Sequence, residues 1–188
     1  MKKKLITSLL VLLAACMAII TSGAQEKEGK YTEIPTIKGI EPLEKGAPAP
    51  PFTIEDINGN AFTIESYRDK NPVLLFFWSF FCGPCREEIP FINDITKQYR
   101  DRGLVVAGVN LDGKEMKKAI SKFMEQEGIS YIVAFDELEG DSFRVADPFG
   151  VAGTPSLFLI DKKGILAFSK VGAVDHETLK GLIETVLD

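Results

Sequence analysis

The chain has 188 residues, 45% hydrophobic and 26% charged, with a formal net charge of −5. This length and composition imply one globular domain with room for an appendage, and exclude a wholly disordered or collagen-like chain. No basic excess is available to hold a nucleic acid. With 3 Cys and 1 His, a zinc finger, a multi-cysteine cluster and a disulfide-dense scaffold are excluded, and no metal site is expected.

Lys2, Lys3 and Lys4 precede an apolar run from Leu5 to Ile20. This is the order of an export signal, and the run is short for a membrane span. Three routes of processing are open. Leu13-Ala14-Ala15-Cys16 resembles the lipobox of bacterial lipoproteins, with Cys16 as the lipidation site, although apolar residues Met17 to Ile20 follow it. Ser22-Gly23-Ala24 is a small-x-small site for cleavage before Gln25. The run can also remain as an uncleaved anchor. Every route is extracytoplasmic, in the periplasm or on the outer face of a bacterial membrane, where disulfides persist. Residues 1–24 are therefore read as the signal or anchor. Residues 25–44, with alternating Glu and Lys and interspersed Gly and Pro, are read as a polar linker. Residues 45–188 remain as the folded domain.

Phe52–Ile54 and Ala61–Ile64 flank Asn58-Gly59-Asn60, the pattern of a β-hairpin. Val73 to Phe81 is a continuous apolar run, as in a strand buried on both faces. Ile89, Ile92, Ile95 and Tyr99 then recur at helical spacing up to Gly103. Leu104–Val109 predicts a second buried strand. Asp112 with Glu115 has the spacing of a capping box, ahead of a helical stripe of Met116, Ile120, Phe123 and Met124. Tyr131–Phe135 reads as a strand and Ser142–Ala146 as a short helix. Ser156–Ile160 and Ile165–Ser169 form a second hairpin around Asp161–Gly164. Asp175 caps a last helix carrying Leu179, Leu182, Ile183 and Val186. The sum is an α/β protein whose central sheet is mixed rather than all parallel.

Cys82-Gly83-Pro84-Cys85 stands where the buried strand passes into the first long helix. Two thiols at this spacing can close a small disulfide ring with little backbone movement. Cys82 precedes the first turn, where free N–H groups and the helix dipole favour an anion, so its thiolate is stabilised. Cys85 lies one turn inside and should be more buried. Cys82 then attacks or is attacked, and Cys85 resolves the mixed disulfide. Half of a zinc site would need two more ligands, and His176 is the only histidine.

The segment Phe77-Trp78-Ser79-Phe80-Phe81-Cys82-Gly83-Pro84-Cys85-Arg86-Glu87-Glu88-Ile89-Pro90 resembles the active-site segment of thioredoxin-like proteins, in particular the exported TlpA/ResA branch. Gly46–Phe52, Gly153-Thr154-Pro155-Ser156 and Val171-Gly172 extend the resemblance over residues 45–188. It implies a thioredoxin-like fold with an extra N-terminal β-hairpin. It also implies a cis bond at Pro155, with Thr154 and Pro155 beside the disulfide and the Thr154 backbone pairing with an extended substrate strand. Trp78, Gly83, Pro84, Thr154 and Pro155 are the expected substrate-binding residues. Pro90 resembles the helix-kinking proline of the family. Two departures from thioredoxin stand out. Phe76 occupies the place of its buried, proton-accepting Asp, and Phe81 that of the Trp before the motif. Glu88 matches an acidic residue that ResA-like proteins keep in the active-site cavity. It shares a helical face with Cys85, which suits it to proton transfer, whereas a solvated glutamate is the plain alternative. Glu87 is expected to face solvent, and His176 is assigned no role.

The resemblance implies an enzyme that reduces protein disulfides, with no cofactor, since the cysteines carry the electrons. Apocytochrome c is the implied client and a membrane electron carrier the implied donor. Three other readings stay open: an oxidant or isomerase using the same pair, a peroxiredoxin-like peroxidase, and a copper-binding or adhesion module. Peroxiredoxins place Pro and Thr or Ser before the attacking Cys, where this chain has Phe77 to Phe81.

Overall fold

The structure is a computed structural model and describes residues 42–188. The export segment and the linker as far as residue 41, Cys16 included, lie outside the described residues.

The sheet is organised around β3 (Val73–Trp78), all six of whose residues are buried. It pairs in parallel with β4 (Val105–Asn110) and antiparallel with β8 (Ser156–Ile160). Outside β4 lies β5 (Ile132–Phe135), parallel to it. The hairpin β1 (Thr53–Asp56) and β2 (Ala61–Thr63) joins β5 antiparallel, and β9 (Leu166–Val171) closes the opposite edge. The order is β2-β1-β5-β4-β3-β8-β9. The extra N-terminal hairpin therefore extends the main sheet. Its turn is set by Asp56, whose carboxylate accepts the Asn58 and Asn60 N–H groups at 2.8 Å each.

Alternation along β3 divides the core. Leu74, Phe76 and Trp78 face α1 (Gly83–Tyr99), α2 (Lys117–Glu127) and α3 (His176–Leu187), packing with Ile89, Ile92, Phe123 and Ile183. Val73, Leu75 and Phe77 face the other way, where Ile64, Val145 and Phe149 cover the sheet. Each fully buried Leu or Phe contributes roughly 1.5–3 kcal/mol, so this strand anchors both layers. The chain from Leu43 lies on the second face. The Leu43 N–H reaches the Phe149 carbonyl at 3.3 Å, and Pro48 bridges to Ile165.

Two expected elements differ. Ser142–Ala146 is not a helix: β6 (Leu138–Glu139) and β7 (Ser142–Phe143) pair as a small hairpin. Val145 and Ala146 then donate their N–H groups to the buried Asp136 carboxylate, at 3.1 and 2.7 Å. An external acceptor holds that backbone instead of helical carbonyls. The capping box at Asp112 does not form either. Gly113 turns the chain at φ 81°, a 3₁₀ turn follows over Lys114–Met116, and α2 starts at Lys117 without a side-chain cap. Asp175 does cap α3, accepting the Thr178 N–H at 2.8 Å. Among the described residues no helix is long and apolar enough to cross a membrane.

Candidate active site

Strand β3 ends under the site. From Trp78 the chain makes a tight turn, closed by the Cys82 N–H on the Ser79 carbonyl at 3.1 Å, and α1 begins at Gly83. Cys82 is the N-cap residue, with Pro84 in the first turn. Proline fits there because the N–H it lacks would have no helical partner. Cys82 and Cys85 are joined in a disulfide. The Cys82 Sγ accepts the Cys85 N–H at 3.2 Å. Cys82 is half-buried and Cys85 wholly buried, so the accessible sulfur is the one at the helix start. No acidic residue stands in the first turn of α1 to oppose the dipole, which favours a thiolate on Cys82 once the disulfide opens. The Arg86 guanidinium sits over the Phe123 ring at 5.3 Å.

The surroundings are aromatic. Phe81 is 74% exposed beside Cys82. Phe80 packs edge-on against both Phe81 and Phe123. Gly83 and Pro84 are also exposed. Trp78 differs from expectation: it is wholly buried and stacks on Phe123. It is a core residue beneath the site and presents no surface to a client. The rings of Trp78 and Tyr131 close on Gly108, where a Cβ would stand 2.8 Å from Tyr131 Cε2 and 3.0 Å from Trp78 Nε1.

The Gly153–Pro155 loop sits at the same end of the sheet. β8 starts with Ser156 opposite Phe77, at the end of β3 from which the Cys82 turn departs. The Thr154–Pro155 peptide bond is cis. Pro155 is buried, and its carbonyl accepts the Gly172 N–H at 2.8 Å. Thr154 is half-buried.

Glu88 is 5% exposed, on the same helix and three residues beyond Cys85. Its Oε1 accepts the Val174 N–H at 3.3 Å, and its Oε2 lies 3.4 Å from His176 Nε2. Phe76, buried in the layer with Cys85, offers no titratable group. Glu87 is exposed. Sequence reasoning missed two participants. His176 is more than a surface residue, since its ring stacks on Phe91 with centroids 3.5 Å apart. Asp112 fastens the turn ahead of Cys82, accepting the Phe80 N–H and the Ser79 hydroxyl, each at 2.6 Å. Asp112 was legible as a polar residue after a buried strand, but nothing local pointed it at Phe80.

Comparisons with known proteins agree with this geometry. The AhpC/TSA family profile matches residues 45–169. The thiol-disulfide oxidoreductase ResA of Bacillus thuringiensis (strain Al Hakam) is 30% identical over 146 residues, 78% of this chain and 80% of that protein. ResA of Bacillus cereus (strain ZK / E33L) is 26% identical over 185 residues, 98% of each chain. Among solved structures, a Chlorobium tepidum protein assigned as thiol:disulfide interchange protein DsbE gives a TM-score of 0.68 at 33% identity. The match covers 78% of this chain and 99% of that one. With its thioredoxin-like fold and its Cys82–Cys85 pair at a helix start, the chain belongs to the AhpC/TSA family and is a thiol–disulfide oxidoreductase.

Proposed function

We propose that the protein works outside the cytoplasm as a reductant of protein disulfides. The observation that carries this reading is the contrast between the half-buried Cys82 at the N-cap and the wholly buried Cys85 behind it. In the reduced enzyme the Cys82 thiolate attacks one sulfur of a client disulfide, and the other client sulfur leaves as a thiolate and takes a proton from water. Cys85 loses its proton and attacks Cys82 Sγ, which forms the Cys82–Cys85 bond and releases the second client sulfur. Two electrons pass from the enzyme to the client. Glu88 is the carboxylate that takes the Cys85 proton. Its burial and its place one turn beyond Cys85 support that role, and Phe76 supplies no alternative. Phe81, Gly83 and Pro84 meet the client, and the Thr154 backbone beside Pro155 pairs with it.

The Gly83-Pro84 dipeptide, shared with thioredoxin, supports the reducing direction. The likeness to ResA supports apocytochrome c as the client and a membrane electron donor for re-reduction. The Lys2–Lys4 and Leu5–Ile20 pattern supports export, and the lipobox-like Leu13–Cys16 supports attachment to a membrane through the N-terminus. Equilibration of the purified domain with glutathione tests the direction. The expected potential lies toward about −270 mV, the value of thioredoxin. A value above about −180 mV, in the range of protein disulfide isomerase, would overturn the reductant reading.

A further inference from the structure

Glu88 needs a path to water. It is 5% exposed, and its Oε2 is buried without a hydrogen-bond partner. A buried carboxylate that takes a proton in each turnover must also give it up, and a side chain closed off from solvent does so slowly. The His176 imidazole, half-exposed, stands 3.4 Å from that oxygen. The imidazole is held in place. It lies flat on Phe91, with the two planes within 3° of parallel, and Asp175 caps the helix turn that carries it. The ring spans the step from a buried carboxylate to bulk water. Imidazole is the one side chain whose ordinary pKa lets it both accept and donate a proton near neutrality.

We propose that His176 is the proton path of Glu88: it takes from Glu88 the proton that Cys85 releases and passes it to solvent. This inference rests on Glu88 being the acceptor for Cys85. His176 never meets the sulfurs, so it is a positioning residue that also carries the proton. The balance is simple. Cys85 loses a proton to Glu88 as its thiolate attacks Cys82 Sγ; Glu88 hands that proton to neutral His176 Nε2; the imidazolium returns it to water, and the released client thiolate takes one from water. No electron passes through His176. Charged groups on the neighbouring elements are Arg86, Glu87, Glu88, Asp94 and Lys97 on α1, Glu177, Lys180 and Glu184 on α3, Asp175 at its N-cap, and Lys170 on β9. Among the described residues only Glu88 stands within ion-pair distance of the imidazole, and Lys180 is taken by Glu177.

His176 is the sole histidine of the chain, so its ring resonances are read without overlap in proton NMR. In the oxidised protein Glu88→Gln should move those resonances, because the carboxylate stands 3.4 Å from Nε2. Stopped-flow oxidation of the reduced protein by a peptide disulfide then reads the path itself. His176→Ala should slow the resolving step on the order of tenfold, within the range of acid–base contributions. Added imidazole should restore the rate by entering the space left on Phe91. Glu88→Gln should be slow with or without imidazole. If Glu88→Gln keeps the parent rate, the role of Glu88 fails and this inference with it. If Glu88→Gln is slow while His176→Ala matches the parent, only the inference fails. A slow His176→Ala without rescue, together with His176 resonances indifferent to Glu88→Gln, would show a mere brace between α1 and α3 and overturn the proton path. The NMR comparison stands independently of how the alanine variant folds.

Discussion

Asp112 Oδ2 accepts the Phe80 N–H at 2.6 Å, across a separation of 32 residues. The same carboxylate takes the Ser79 hydroxyl and, through Oδ2, the Asn110 amide at 2.9 Å. The end of β4 therefore holds the turn from which Cys82 starts α1. The helix dipole can act on the Cys82 sulfur only while that turn is fixed.

Asp112→Ala leaves the Phe80 N–H and Ser79 hydroxyl without their acceptor. The expected loss of stability is about 1–3 kcal/mol. Oxidation of the reduced variant by a peptide disulfide should slow. Asp112→Asn keeps an acceptor oxygen and should fall between. A rate identical to the parent in Asp112→Ala would show that the clamp does not tune Cys82.

Gly108 is needed for space. A methyl group there meets Tyr131 and Trp78 inside 3.0 Å or at that limit, and both rings are closed in by the sheet and by Phe123. Gly108→Ala should cost about 1–3 kcal/mol, the usual range for overpacking. Urea unfolding measures it, and an unchanged midpoint would mean that the rings move aside freely.

Phe81 is exposed and contributes little to the core. Phe81→Ala should leave stability within about 0.5 kcal/mol. It should weaken client reduction, raising KM severalfold with kcat nearly unchanged, since an aromatic anchor at a contact surface carries binding energy. Insulin reduction under steady-state conditions reads this, and an unaltered KM would remove Phe81 from the client surface.

Asp136 sets a pH dependence of stability. Burial holds its carboxyl above the ordinary carboxylate range, against the pull of the Ala146 and Val145 N–H groups. A carboxyl with a raised folded pKa binds its proton more tightly folded than unfolded. Its contribution is therefore fully present below the unfolded value and is lost as pH rises through the raised folded one. Asp136→Asn removes this titration. Denaturant unfolding from about pH 3.5 to about pH 7 should show the parent losing stability relative to the variant as pH rises. Parallel curves would contradict it.

Legibility from sequence followed the range of the interactions. The Asn58-Gly59-Asn60 turn, the Asp175 cap and the Cys82–Cys85 pair are local patterns, and each is found where expected, whereas the strand from Val73 stops at Trp78, short of the apolar run's end at Phe81. The segment after β5 departs from the expected short helix because its deciding contact is Asp136, nine and ten residues earlier. The resemblance to thioredoxin-like proteins puts Trp78 on the client surface. Alternation along β3 instead buries it with Leu74 and Phe76. The link from Glu88 on α1 to Val174 in the loop before α3 spans 86 residues, and no periodicity announces it.

Trapping of clients by single-cysteine variants tests the account most directly, because the whole scheme depends on Cys82 being the reachable sulfur and Cys85 the resolving one. Cys85→Ser, in the reduced state and offered a disulfide-bonded protein, should accumulate a dithiothreitol-sensitive adduct joined through Cys82, as peptide mapping by mass spectrometry would show. Cys82→Ser should accumulate none. Adducts on Cys85 in the Cys82→Ser variant, with none on Cys82 in its counterpart, would contradict the assignment.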